Sequence, residues 1–242
     1  MTYLSRIRLN PLRTKTQSFL RNRQALHAVI LGGLSRQPVT ERVLWRLDTT
    51  NRHWLSLLVL TETRPSWEHL VEQAGWPSSD DPQAVIKAYQ PLLNQVARGR
   101  QFAFRLHANP VSTTKKPTRP SPEQRDRLTA SIRPRGVRVP HRTAAHQLRW
   151  LRDRLERWGF QPLTGDHGPT AYLVAQERLS FDKRDGEKSR RVTLETATFE
   201  GLIEVTDPQT AQRSLLDGVG PGKAYGMGLI TLAPPHPRPV GV

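Results

Sequence analysis

The chain has no cysteine among its 242 residues. That excludes disulfides, thiolate zinc sites and thiol nucleophiles. It has no apolar run of 18 residues, so no membrane-crossing helix is expected. The opening MTYLSRIRLN lacks an apolar signal core, and the expectation is a cytoplasmic protein. Acidic residues are scarce: 21 Asp and Glu stand against 37 Lys and Arg, giving a formal net charge of +16 and a pI near 11.3. Such a chain repels itself unless it meets a polyanion, which points to nucleic acid or an anionic surface. Arginine outnumbers lysine about four to one. Its planar fork pairs with phosphate and stacks on bases. An arginine-rich proteome would explain that ratio, but not the net charge. There is no His-Glu-x-x-His run, and His141 and His146 are five apart, off a common helical face. No metal or other cofactor is expected.

What is present includes GVGPGKAYGMGL, Gly218 to Leu229, with five glycines and one lysine. It is not a nucleotide loop. Ala224 follows Lys223 where a magnesium-binding hydroxyl is needed, and Asp217 occupies the upstream glycine position. It is not a dinucleotide fingerprint either, because the apolar GLITLAP that follows reads as a strand and not as a helix. Two readings remain: a turn needing positive φ at several places, or a backbone that a phosphate approaches closely.

Periodicity organises the rest. TYLSRIRLN alternates as a half-buried strand, and SFLRNRQALHAVILGGL has helical spacing that stops at Gly32 and Gly33. RVLWRLD and HWLSLLVLTE read as strands, SWEHLVEQAG as a helix capped by Ser66, and RQFAFRLHANP as a strand. This order is a split βαβ, or ferredoxin-like, unit. AGWPSSDDPQAVIKAYQPLL reads either as local core or as a partner contact. Residues 111–136 are rich in Pro, Lys and Arg and read as a connector. The pattern then restarts. TAAHQLRWLRDRLERWGF is an amphipathic helix, TAYLVAQERLSF and RRVTLETATFEGLIEV are strands flanking the polar DKRDGEKS, and Asp207 caps a helix that ends at Gly218. GVRVP is the expected first strand of this second unit. The fold class is α+β, with two ferredoxin-like domains in tandem at 1–110 and 137–242.

Four segments, TYLSRIRLN, QALHAVI, FAFRLHANP and FEGLIEVTDP…GVGPGKAYGMGLITLAP, occur in order and span nearly the whole chain. With them the sequence resembles the CasE family, the CRISPR-associated endoribonuclease of the type I-E Cascade complex. FRLHANP resembles the family's FRLRANP, with His107 at one position. The resemblance implies the repeat-associated RNA-binding fold. It also implies metal-independent cleavage of CRISPR precursor RNA beside the repeat hairpin, leaving a 2′,3′-cyclic phosphate. The protein then stays bound to the guide RNA 3′ hairpin as a Cascade subunit beside others, above all a neighbouring backbone subunit.

The same resemblance places the catalytic histidine at His27. Familiar members carry a tyrosine three residues earlier, where this chain has Gln24. Glutamine donates hydrogen bonds but does not shuttle protons. Arg23, one turn before His27, is therefore the expected cationic helper. A basic hairpin of the second domain should enter the RNA helix, here Lys183, Arg184, Lys188, Arg190 and Arg191. Further RNA-contact candidates are Arg105, Lys115, Lys116, Gly220, Gly222 and Lys223, with Arg135 and Arg138 as weaker ones. RNA duplexes are recognised through shape, phosphates and unpaired flanks, which suits such a set. A non-catalytic hairpin-binding subunit is the alternative that Gln24 favours. A structural RNA-binding protein is a third reading, and a DNA regulator is disfavoured for want of a helix-turn-helix.

Overall fold

The computed structural model describes residues 1–51, 53–129, 136–165, 168–185 and 188–235. The chain begins with β1 (Tyr3–Leu9), whose Ser5, Ile7 and Leu9 are buried on one face, as the alternation predicts. The expected single helix is two, α1 (Thr14–Arg21) and α2 (Arg23–Leu31). Asn22 separates them in an extended conformation (φ −133°, ψ 100°), and its side chain accepts from the backbone N–H of Gln24 and Ala25. One N-cap interrupts an otherwise continuous apolar stripe. Next come β2 (Leu44–Asp48), β3 (Leu55–Thr61), α3 (Glu68–Ala74) and β4 (Ala84–Ala88). Helix α3 starts at Glu68 with Trp67 as its N-cap residue and no side-chain cap, so Ser66 is not the cap. The sheet is antiparallel in the order β2-β3-β1-β4, the ferredoxin-like arrangement.

The fourth strand of this sheet is β4, in the segment whose role the sequence left open. A one-turn helix, α4 (Gln90–Leu93), follows it and leads to β5 (Gln101–Ala108). The sequence assigned β5 to the first unit, but it pairs antiparallel with strands of the second sheet. The first unit therefore closes before residue 101, not at 110. β6 (Val111–Thr114) and β7 (Val137–Pro140) pair only with each other. GVRVP is thus not the first strand of the second sheet. Between them lies α5 (Pro122–Thr129), so the connector has structure of its own.

The second unit continues with α6 (Ala144–Leu155), capped by Thr143 and ended through Gly159 in the left-handed region (φ 83°). Short strands β8 (Phe160–Pro162), β9 (Thr164–Gly165) and β10 (Gly168–Pro169) follow. The long β11 (Ala171–Asp185) and β12 (Lys188–Val205) come next, then α7 (Pro208–Asp217) and β13 (Ile230–Ala233). Asp207 caps α7 through the N–H groups of Gln209 and Thr210, as expected. The second sheet has the order β11-β12-β5-β13, with β8 against β12. Counting β5 as first, the strand order equals that of the first sheet.

The two units share a core. Leu44 and Leu60 of the first sheet are buried in one cluster with Phe102, Phe104, Phe199 and Leu215 of the second. A second cluster under α2 holds Ile7, Leu26, Ile30, Trp45, Val59 and Trp67.

Candidate functional site

His27 sits half-buried in the middle of α2, on a helix whose start and direction are fixed by the Asn22 cap. The indole Nε1–H of Trp45, on β2, donates to His27 Nδ1 at 3.2 Å. The two rings lie nearly parallel, 19° between planes and 6.4 Å between centroids. Burial lowers the His27 pKa, since the charged imidazolium loses more hydration than the neutral ring. No other described residue hydrogen-bonds the ring.

The glycine stretch packs directly against this pair. A 3-10 turn, Lys223–Tyr225, abuts α2 and β2. Gly226 (φ 86°) lies flat on Trp45: an added Cβ would fall 2.6 Å from the indole ring. At Gly218 it would strike the Leu44 side chain, also at 2.6 Å. These glycines permit close packing inside the protein. Gly220 is exposed, with open space apart from an ordinary contact with Trp150, so its backbone is approachable. At Gly222 (φ 94°) an added Cβ would fall 2.6 Å from Met227 Sδ. Lys223 is partly buried and forms no ion pair among the described residues. Burial and the Arg42 charge lower its pKa, and Asp217 opposes them.

A charged seam joins the sheets beside the helix. Arg46, 3% exposed, donates from Nη1 to the carbonyls of Arg105 (2.9 Å) and Leu229 (3.3 Å). Its Nε and Nη2 grip Asp48 at 2.8 and 3.0 Å. Arg105 pairs with Glu200 at 3.1 Å and Asp48 at 3.5 Å. Arg23 is 7% exposed, and its Nε and Nη1 have no hydrogen-bond partner among the described residues. Burial lowers its pKa against the raising charge of Glu177. His107 bonds Thr198 Oγ1 at 2.9 Å and is held neutral. Desolvation, reinforced by the charges of Arg23, Arg46 and Arg105, brings its pKa down to about 4.

Beyond the glycine stretch opens a groove of about 1120 Å³. One wall is the β11–β12 ribbon, with Arg178, Lys183, Arg190 and Arg191; the other is the β6–β7 and α5 segment with the start of α6, carrying Arg119, His141, Arg142 and His146. Tyr225, at the end of the 3-10 turn, lines it and packs against Phe181 of β11, with ring centroids 4.9 Å apart and 60° between planes. Glu195 is the one acid on this lining among the described residues, and it is paired with Arg142 and Arg178. The groove thus presents clustered cations to a polyanion.

The structure therefore sorts the residues expected from sequence. Lys183, Arg190 and Arg191 line the groove, and Lys115 and Lys116 are exposed next to its Pro117–Arg119 rim. The ribbon's strands extend to Asp185 and Lys188, so DKRDGEKS is mostly strand, not loop. The side chains of Arg184 and Lys188, and all of Arg135, lie outside the described residues. Arg138 sits on β7, where its carbonyl accepts from Gln124. Arg105 is held in the seam by its two carboxylate partners and is not on the groove's lining. Arg23 is likewise in the seam, more buried than a freely reaching helper. Sequence reasoning missed Trp45, Tyr225, Arg119 and Arg142. Only Trp45 left a trace: Leu44, Trp45 and Arg46 are buried in succession, so β2 is covered on both faces and cannot alternate.

A family model described as "CRISPR associated protein" matches residues 2–234. The chain belongs to this CRISPR-associated family. A relative from Thermus thermophilus, the CRISPR-associated endoribonuclease Cse3, is 33% identical over 237 residues, 96% of this chain and all of the relative. The CRISPR system Cascade subunit CasE of Escherichia coli is 30% identical over 165 residues, 68% of this chain and 73% of its own. Among solved structures, Thermus thermophilus Cse3 bound to an RNA representing a pre-cleavage complex superposes with a TM-score of 0.73. It is 32% identical and covers 96% of this chain and 99% of that one. The family match runs through both sheets, the histidine helix and the glycine stretch.

Proposed function

We propose that this protein is an endoribonuclease that cuts CRISPR precursor RNA beside the repeat hairpin. It then holds the product as a subunit of Cascade. The observation that carries this reading is His27, half-buried with one ring nitrogen free of partners among the described residues, one loop away from a cationic groove. It stands in a chain similar along its whole length to an endoribonuclease of the same family.

The groove binds the hairpin through phosphates, with Lys183, Arg190 and Arg191 on one wall. At the cut, the RNA 2′-oxygen bonds to phosphorus and the bond from phosphorus to the 5′-oxygen breaks. The 2′-hydroxyl loses a proton and the 5′-oxygen gains one, giving a 2′,3′-cyclic phosphate and a 5′-hydroxyl. The nucleophile is inside the substrate, so no metal is required. His27 assists at one of the two oxygens. Arg23 supplies positive charge one turn away, and Lys223 and the backbone at Gly220 meet phosphate. A second reading, a hairpin-binding subunit without cleavage, is favoured by Gln24, which offers no proton to transfer.

Single-turnover cleavage of the cognate repeat in EDTA decides between them. Wild type should cut and leave a cyclic phosphate. His27→Ala should lose about 10²–10⁴-fold in rate with unchanged binding. Binding without wild-type cleavage would establish the second reading. Cleavage that survives His27→Ala would remove His27 from the mechanism, and an unchanged rate in Arg23→Ala would remove Arg23.

A further inference from the structure

The bond from Trp45 to His27 decides which nitrogen faces the RNA. An indole nitrogen only donates, so a bond between Trp45 Nε1 and His27 Nδ1 requires Nδ1 to be an unprotonated acceptor. In the neutral ring the proton then resides on Nε2. Trp45 is fully buried, and its N–H has no other acceptor among the described residues, so the bond cannot be exchanged for one to water. Gly226 lies flat on the indole and fixes its plane. The imidazolium would carry a hydrogen on Nδ1 and set two donors against each other. Both the contact and the burial therefore hold His27 neutral.

We propose that Trp45 is the positioning residue of this site, and that it makes His27 meet the RNA as a neutral Nε2–H donor and not as a base. This rests on the reading that His27 acts in cleavage. A base needs a lone pair on the nitrogen that reaches the substrate. Here the lone pair is on Nδ1, turned inward and already engaged. Nε2–H donates instead to the 5′-oxygen or a non-bridging phosphate oxygen, where negative charge grows as the bond breaks. No proton leaves the ring: the 2′-hydroxyl gives its proton to water and the 5′-oxygen takes one from water. A neutral imidazole acting by hydrogen bond fits a helix that carries Gln24 three residues before the histidine.

The test uses the full chain labelled with ¹⁵N-histidine, His27 being assigned by the signals lost in His27→Gln. Near neutral pH, wild-type His27 should show a protonated Nε2 and a bare Nδ1. Replacing Trp45 by benzothienylalanine keeps the bicyclic shape and removes only the N–H, and Trp45→Phe is the simpler companion. In either variant, His27 should become a mixture of tautomers and titrate closer to an ordinary histidine. Cleavage at saturating RNA should slow by on the order of 10²-fold with binding unchanged. A wild-type ring protonated on Nδ1, or a tautomer indifferent to loss of the indole N–H, overturns the proposal. So does full cleavage by the benzothienyl variant when His27→Ala is dead. Cleavage indifferent to both His27 and Trp45 would instead refute the catalytic reading itself, with the tautomer still reported by the spectrum.

Discussion

The two sheets have the same strand order and opposite uses. In the first, the second and third strands are 5 and 7 residues long, and the hairpin stays within the sheet. In the second, the corresponding strands run to 15 and 18 residues and project as a ribbon. The short hairpin puts Trp45 under a helix, where burial and one hydrogen bond set the state of His27. The long ribbon leaves core behind and fills its faces with arginine and lysine. On the proposed reading, one topology serves as a seat for chemistry when kept compact and as a grip when extended. Chemistry and grip should therefore be separable by mutation.

The sharpest break targets the grip. The triple change of Lys183, Arg190 and Arg191 to Ala should weaken RNA binding and flatten its dependence on log salt by about 2–3, one counterion term per lost phosphate contact. Cleavage at saturating RNA should persist, the reverse of His27→Ala. If the triple variant binds like wild type, the ribbon is a solvated arm and the comparison fails.

Next comes the seam that joins the units. Asp48→Ala leaves the buried Arg46 guanidinium without its bidentate partner, and stability should fall by about 3–5 kcal/mol in chemical denaturation. A smaller loss would mean that the two carbonyls bonded by Arg46 carry the contact unaided. His107 offers a pH handle on the same seam. Its folded-state pKa of about 4 lies below the ordinary histidine value, so the unfolded chain binds a proton that the folded chain refuses. Above the unfolded value there is no effect. As pH falls from about 6.5 toward 4, stability should drop by on the order of 3 kcal/mol from this group. His107→Gln should flatten that acid limb in denaturation midpoints measured between pH 7 and 4.5. An unaltered limb would acquit His107. The smallest change is Gly226→Ala, which forces a Cβ toward the Trp45 ring at a positive φ, costing about 1–3 kcal/mol. Cleavage should slow more than hairpin binding weakens. Equal losses in both would mean that the glycine loop serves the groove as much as the histidine.

Much of this was legible in the chain. The alternation of β1, the amphipathic stripe of α6 and the Asp207–Pro208 start of α7 each obey a local period or cap, and local rules survive folding. The ribbon's cations declared themselves as a charge run. What failed was whatever depended on partners far along the chain. Ala84–Ala88 is a partly exposed edge strand without alternation, so nothing marked it as a strand. Gln101–Ala108 alternates well, but alternation does not say which sheet it joins. The charge of Arg105 suggested RNA, and only the fold brings Glu200 and Asp48 against it. His141 and His146 looked unrelated by helical spacing, yet their rings lie 6.1 Å apart because one precedes α6 and the other lies on it. Gly226 and Trp45 are separated by nearly the whole protein, and no period connects them.

That last separation has a consequence for how the protein is made. The histidine and its indole are synthesised well before the glycine surface on which the indole rests. A nascent chain can fold its first sheet, but it presents His27 without that support until Gly226 has left the ribosome. A copy that stops short of Gly226 should thus be a poor nuclease, and competence arrives with the glycine stretch.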